Sequence, residues 1–269
     1  MHLDAIEIRN FYLSPRGRIV RQLLSLRIRE IWPDVRGQRL VGLGHATPFL
    51  RPFKDEAERV LGFMPAQQGV IAWPAEGPLV TSLVHDACLP LPDASVERVL
   101  LIHALEGAHA PQAMLRDVWR ILAPGGRVLV VVANRAGLWS RVESTPFGVG
   151  RPFSRSQIAR ALEDLSFTPG RIETALHVPP STTRFVLGSA RGWDRMGSRV
   201  WPGLAGVVVV EAEKRLVQPI NPGKKLRVPA LVPALRPNPA PAPRSQTRFS
   251  GEEGTQPVGR TCSRTTTVL

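Results

Sequence analysis

Residues able to do chemistry stand where the apolar runs of this chain end. The stretch RLVGLGHATPFL, from Arg39 to Leu50, leaves a strand-like run through Gly42 and Gly44 and continues as His45, Ala46, Thr47 and Pro48. Glycine permits backbone angles closed to other residues and lets the main chain approach a ligand. The spacing is that of a glycine-rich cofactor loop in which two later glycines have become Ala46 and Pro48. Proline costs little in the first turn of a helix, and Ala46 adds only one methyl group. Further along, Asp86 and Ala87 follow a third apolar run, while His103, Glu106 and His109 follow a fourth. Asn134 and Arg135 follow a fifth. An imidazole or carboxylate at such an edge is a candidate general acid or base. Each also has a plainer reading: Gly44 as a tight turn, Asp86 as a loop cap, His103 as a satisfied core histidine. Arg135 either meets an anionic substrate or is a solvated surface charge.

These residues need a scaffold, and the hydrophobic pattern predicts one. Strands are expected at 39–43, 58–63, 79–84, 96–103 and 127–133, with a last one near 207–211. ERVLLIH and RVLVVVA are near-continuous apolar runs, which suit strands covered on both faces of a parallel sheet. Between them, PQAMLRDVWRILAPGG carries Met114, Leu115, Val118 and Leu122 at helical spacing. Pro111 suits the first turn of that helix, and Pro124, Gly125 and Gly126 are expected to stop it. Strand–helix–strand order predicts a right-handed parallel crossover. Ser154 is an expected helix cap for SRSQIARALEDL. Residues 1–36 are expected to form a helical lead-in dominated by PRGRIVRQLLSLRIREIW, an amphipathic helix packed on the main domain through Val20, Leu23, Leu24, Ile28 and Ile31. A long segment with Trp139, Phe147, Gly148, Gly150, Arg151 and Phe153 is expected to act as a substrate-side lid or to pack.

The chain of 269 residues is 43% hydrophobic, enough to bury a sizeable core. No apolar run approaches the ~20 residues a membrane-spanning helix needs, and the first residues lack the pattern of a secretory leader. Cys88 and Cys262 are the only cysteines. A disulfide framework or a zinc site is therefore not expected, no metal is assigned, Cys88 is expected to be buried filler, and a reducing cytoplasm is the expected compartment. The net charge is +13, and residues 219–269 carry nearly half of it. Charge of this sign suits nucleic acid, but that partner rests on charge alone, and coding bias toward arginine explains the balance as well. The proline-rich segment 219–269 is expected to be disordered. The pattern leaves the oligomeric state open.

Taken together, VHDACLPLPDASVERVLLIHALEGAHAPQAMLRDVWRILAPGGRVLVVV, from Val84 to Val132, resembles the class I S-adenosylmethionine-dependent methyltransferases of the type 11 group. His85-Asp86-Ala87 with Leu89-Pro90-Leu91-Pro92-Asp93 is similar to the family's acidic turn and the L-P-F-P-D run after it. MLRDVWRILAPGG is similar to its L-x-E-x-x-R-V-L-x-P-G-G helix. The resemblance implies an α/β, Rossmann-like, doubly wound and mostly parallel sheet over 37–218, with S-adenosylmethionine at the carboxyl ends of the central strands and a small-molecule acceptor. It implies cofactor contacts at Gly42, Gly44, His45, Ala46, Thr47, Met64, Asp86, Ala87 and His103, and candidate catalytic roles for His103, Glu106 and His109. Two departures bear on this. The family's loop acid is Gly42 here, and its ribose-binding acid is Met64, a weak acceptor. A methyltransferase fold that serves only as a binding or regulatory module is the alternative.

Overall fold

A computed structural model describes residues 4–180 and 202–216, and the expected tail at 219–269 lies outside them. Seven strands form one sheet in the order β3-β2-β1-β4-β5-β7-β6. They are β1 (Arg39–Gly44), β2 (Arg59–Pro65), β3 (Thr81–Val84), β4 (Val96–Ile102), β5 (Leu122–Ala133), β6 (Phe167–Ala175) and β7 (Val207–Lys214). Every pairing from β3 to β5 is parallel, and β7 runs antiparallel to both of its neighbours. This is the Rossmann-like sheet of the class I methyltransferases.

Alternation along the central strands divides the core. Leu40, Leu100, Ile102, Leu129 and Val131 pack toward one face, with residues of the two N-terminal helices. Val41, Leu43, Val99, Leu101, Val128 and Val130 pack toward the other, under helices α4 (Pro111–Ile121) and α5 (Arg155–Glu163). Full burial of each such side chain is worth about 1.5–3 kcal/mol. No helix of the described residues is long and apolar enough to cross a membrane.

Several details differ from the pattern-based expectations. In the lead-in the expected amphipathic helix is α2 (Pro15–Ile31), and a further helix, α1 (Ala5–Leu13), precedes it. Asp4 caps α1, and Ser14, followed by Pro15, caps α2. Gly17 allows the sharp corner between them, since a β-carbon there would meet the Phe11 carbonyl at 1.9 Å. Helix α4 ends at Ile121, one residue short of Leu122, which already pairs with Val96. The Pro124-Gly125-Gly126 turn follows as an irregularity inside β5. Strand β6 has no clean alternation, because Pro169 and Gly170 break its register against β7. Edge strands tolerate such a break. Ser154 caps α5 with a full capping box through Gln157. Cys88 is exposed, contrary to expectation, because the turn after β3 carries it to the surface.

Candidate cofactor and active site

The carboxyl ends of β1 and β4 lie side by side, with Gly44 paired to Ile102. Gly44 has φ +78°, and a β-carbon there would sit 2.4 Å from the Ile102 carbonyl oxygen. The close contact that demands glycine is thus with β4. The His45 N–H donates to the same carbonyl at 2.8 Å. From Thr47 the crossover makes a single helical turn, α3 (Thr47–Leu50), and then a short 3-10 turn before β2.

At the end of β4 the chain turns through His103, whose φ of +52° is left-handed. A side-chain-bearing residue held there signals a position constrained by its surroundings. His103, His45, Glu106 and Gln68 are all buried. So is Tyr12, which α1 inserts between the two histidines. Its hydroxyl lies 2.8 Å from His103 Nε2, and its ring stacks on His45 at 5.3 Å and 5°. The Gln68 amide donates to the His103 carbonyl at 3.1 Å, and Phe147 covers the His103 ring at 4.9 Å.

This cluster is under-satisfied. Both ring nitrogens of His45, His103 Nδ1, Glu106 Oε2 and Gln68 Oε1 are buried without a hydrogen-bond partner. Glu106 Oε1 accepts only the Ala133 N–H, at 3.0 Å. Burial pushes the Glu106 carboxyl up to about 7, and it pushes His45 down to about 4 and His103 to about 3. Burial, and then the nearby Glu106, raise the Tyr12 phenol well above its usual value. Near neutral pH both imidazoles are therefore neutral, and Glu106 is poised to exchange a proton.

Two clefts flank the cluster. A narrow inner one is bordered by Pro65, Gln68, Asp86, His103, Glu106 and Gly150. A wider, more open outer one is bordered by Tyr12, His45, Thr47, Arg21, Arg51 and Trp73 among others. Of the residues singled out in the sequence, Asp86, His103 and Glu106 thus meet at the inner cleft, and His45 and Thr47 at the outer.

The others lie elsewhere. Gly42 and Ala46 are buried in the packing of the β1 crossover. A β-carbon at Gly42 would come 2.4 Å from Leu50 Cδ1 and 2.6 Å from the Ala46 methyl, so Leu50 fills the space of the missing acid. The Met64 sulfur accepts the Ile71 N–H at 3.2 Å and faces that loop. Ala87 lies on the turn after β3, with its N–H on His85 Nδ1. His109 is exposed and borders neither cleft. Trp139 and Phe147 do not form a mobile flap. Both are buried, packed edge-to-face on each other, and the Trp139 indole donates to the Val178 carbonyl at 2.7 Å. Only the Pro146–Gly150 part of that segment borders the inner cleft.

Residues 41–130 match the family model described as a methyltransferase domain. Over that segment, about a third of the chain, the sequence is similar to that family, and the sheet has the class I methyltransferase fold. A chain of the Haloferax volcanii complex between the Trm112 methyltransferase activator and a methyltransferase is similar at 17% identity and TM-score 0.55. That likeness covers 79% of this chain and 98% of that one. An S-adenosylmethionine-dependent methyltransferase of Thermotoga maritima is similar at 18% and 0.52, over 78% and 95%. The [4+2]-cyclase SpnF is as similar, at 20% and 0.52, over 72% and 81%. The fold therefore hosts more than one reaction, and the activity must be argued from the site. No curated protein matches the chain.

The sequence pattern missed four parts of the site. Tyr12 is the only tyrosine of the chain, and Ala5, Ile8 and Tyr12 follow helical spacing, a signal that was available. Gln68 had none. Asp117 and Arg120 lie on α4 and hold the loop after Asp86. Asp117 accepts the Leu89 N–H at 2.5 Å, and Arg120 donates to the carbonyls of Leu89 and Leu91. Their i,i+3 spacing on a helix was legible as a pair.

Proposed function

We propose that the methyltransferase domain binds S-adenosylmethionine at the inner cleft and transfers its methyl group to a small-molecule acceptor. The observation that carries this is the set of buried, unpartnered polar atoms on His45, His103, Glu106 and Gln68. Each such atom costs about 1–3 kcal/mol when left unsatisfied. Five together are a strong argument for a ligand that completes them. They stand at the carboxyl ends of the central strands, the general ligand position of open α/β sheets.

The residues present suit the cofactor in chemical kind. Asp86, buried at the rim of the inner cleft, is an acceptor for the adenine amino group. His103 has Nδ1 left over, its Nε2 being held by Tyr12, and the neutral His45 ring adds one donor and one acceptor from the wall shared with the outer cleft, which suits an ammonium and carboxylate end. When bound, S-adenosylmethionine supplies a methyl group on a positively charged sulfur. Tyr12, through its hydroxyl, fixes the His103 ring. Glu106, with a carboxyl near 7, takes up the proton that an acceptor hydroxyl or amine must lose. The packed shell of Phe11, Trp139 and Phe147 excludes water from that side. Positioning of two reactants supplies the rest of the rate. A reducing cytoplasmic setting belongs to the same proposal.

A second reading keeps the fold and drops the cofactor, leaving a binding module. The filled space at Gly42 and the turned Met64 sulfur favour it. Calorimetric titration with S-adenosylmethionine and S-adenosylhomocysteine separates the two. Micromolar binding of both is the expected result. Absence of heat at millimolar ligand would leave the binding module.

A further inference from the structure

Three arginines converge on the outer cleft from three elements. Arg9 lies on α1, Arg21 on α2, and Arg51 just after α3. A guanidinium is charged at every accessible pH, so the cleft carries three fixed positive charges. No aspartate or glutamate is among its lining residues. Two arginines in the last turns of α2 are neutralised. On α2, Arg27 pairs with Glu30 and Glu173, and Arg29 pairs with Glu56. Among the described residues, Arg9, Arg21 and Arg51 have no such acidic partner. Like charges drawn around one concavity repel, and the cost is offset only by solvent or by an anion.

The rest of the cleft is apolar and aromatic. Trp73 stands on one side, and the stacked rings of Tyr12 and His45 form the wall shared with the polar cluster. Solvated surface arginines are common, and three of them alone would carry little. Here they rim one open cleft with an aromatic wall, and that wall leads to His103.

We propose that the outer cleft binds the acceptor, and that the acceptor is an anionic amphiphile. Its carboxylate or phosphate pairs with Arg9, Arg21 and Arg51, and its apolar body lies along Trp73 and Tyr12. Arginine forks suit both anions, each accepting two parallel hydrogen bonds. Ser25, on the same rim, adds a hydroxyl donor. The assignment of this ligand as the methyl acceptor rests on the function proposed above. The binding itself does not.

The test is calorimetry on the full chain at low salt with octyl phosphate, octanoate and neutral octyl glucoside. Both anions are expected to bind at least tenfold more tightly than the glucoside, and to lose affinity as salt rises. Arg21→Gln and Arg51→Gln are each expected to weaken the anions at least fivefold and to leave S-adenosylhomocysteine affinity unchanged. The exposed Arg9→Gln gives a third variant with little risk to folding, checked by circular dichroism. Equal affinity for the glucoside, or unchanged anion affinity in the folded variants, overturns the proposal. Anion binding without S-adenosylhomocysteine binding keeps the cleft and removes the methyl-transfer reading; the reverse pattern removes the cleft alone. Sedimentation with phosphatidylglycerol vesicles, abolished by Arg21→Gln, would make the anion a lipid headgroup, whereas binding of the soluble anions without sedimentation makes it a free metabolite.

Discussion

Between β4 and β5 the chain builds an 11-residue helix, α4, with Met114, Leu115, Val118 and Ile121 all buried. Between β1 and β2 it builds a single turn of 4 residues and a 3-10 turn. The first crossover is covered by its own amphipathic helix. The second is covered by α1 and α2, brought in from the N-terminus, and it carries His45 and the Tyr12 contact. The difference teaches where constraint comes from. In the β4–β5 half, packing alone dictates the residues, so the family pattern survives. In the β1–β2 half, a distant segment fills the space, and the loop is free to depart from that pattern.

The comparison can be broken from either side. In the regular half, Leu115→Ala leaves a cavity in a fully packed core and should cost about 2–5 kcal/mol in urea unfolding. The folded fraction should keep its S-adenosylhomocysteine affinity. In the departed half, Gly42→Asp restores the family's acid but sets it against Leu50 and Ala46. A buried, unpartnered carboxylate there should lower stability by about 3 kcal/mol and gain no cofactor affinity. A gain in affinity would show that the loop still has the family's geometry.

Binding gives the next largest effect. Asp86→Ala should weaken S-adenosylhomocysteine by about 1–3 kcal/mol, measured by calorimetry. Unchanged affinity in a folded variant would remove Asp86 from the site. Tyr12→Phe strips the hydroxyl from His103 and should cost about 1 kcal/mol of stability, read from the shift in urea midpoint.

The smallest effect is on pH dependence. His45 and His103 have folded values of about 4 and about 3, below the usual one, so the unfolded chain binds more protons between about pH 3 and 6.5. Their contribution is present above that window and is lost as pH falls through it. Glu106 has the opposite sign. Its folded value is raised to about 7, so its contribution is lost as pH climbs from about 4.5 to 7. Glu106→Gln should therefore steepen the rise in stability across pH 4.5–6.5. An unchanged profile would mean that the carboxyl titrates at its usual value.

How much was legible in the sequence follows the same division. Val99, Leu101, Val128 and Val130 announced the central strands, because strands covered on both faces must be apolar throughout. Asp86, His103 and Glu106 were legible because strand ends put them on one edge, and they meet at one cleft. Gly44 was legible too, although the contact that requires it is with the Ile102 carbonyl. Tyr12 and Arg9 were hidden because no local pattern says that α1 folds back over the site. Trp139 and Phe147 read equally as lid or as packing aromatics, since sequence cannot distinguish an aromatic that covers a cleft from one that packs beneath it. Met64 stood at the ribose position only through the family resemblance, and its sulfur turns to Ile71.

The most direct test of the central claim is nitrogen-detected NMR of the histidine rings as S-adenosylhomocysteine is added. The unpartnered nitrogens of His45 and His103 should shift together and saturate with the calorimetric affinity, while exposed His109 stays unmoved. Saturating ligand that leaves both rings unshifted would contradict the account, because the buried polar cluster would then not be where the cofactor binds.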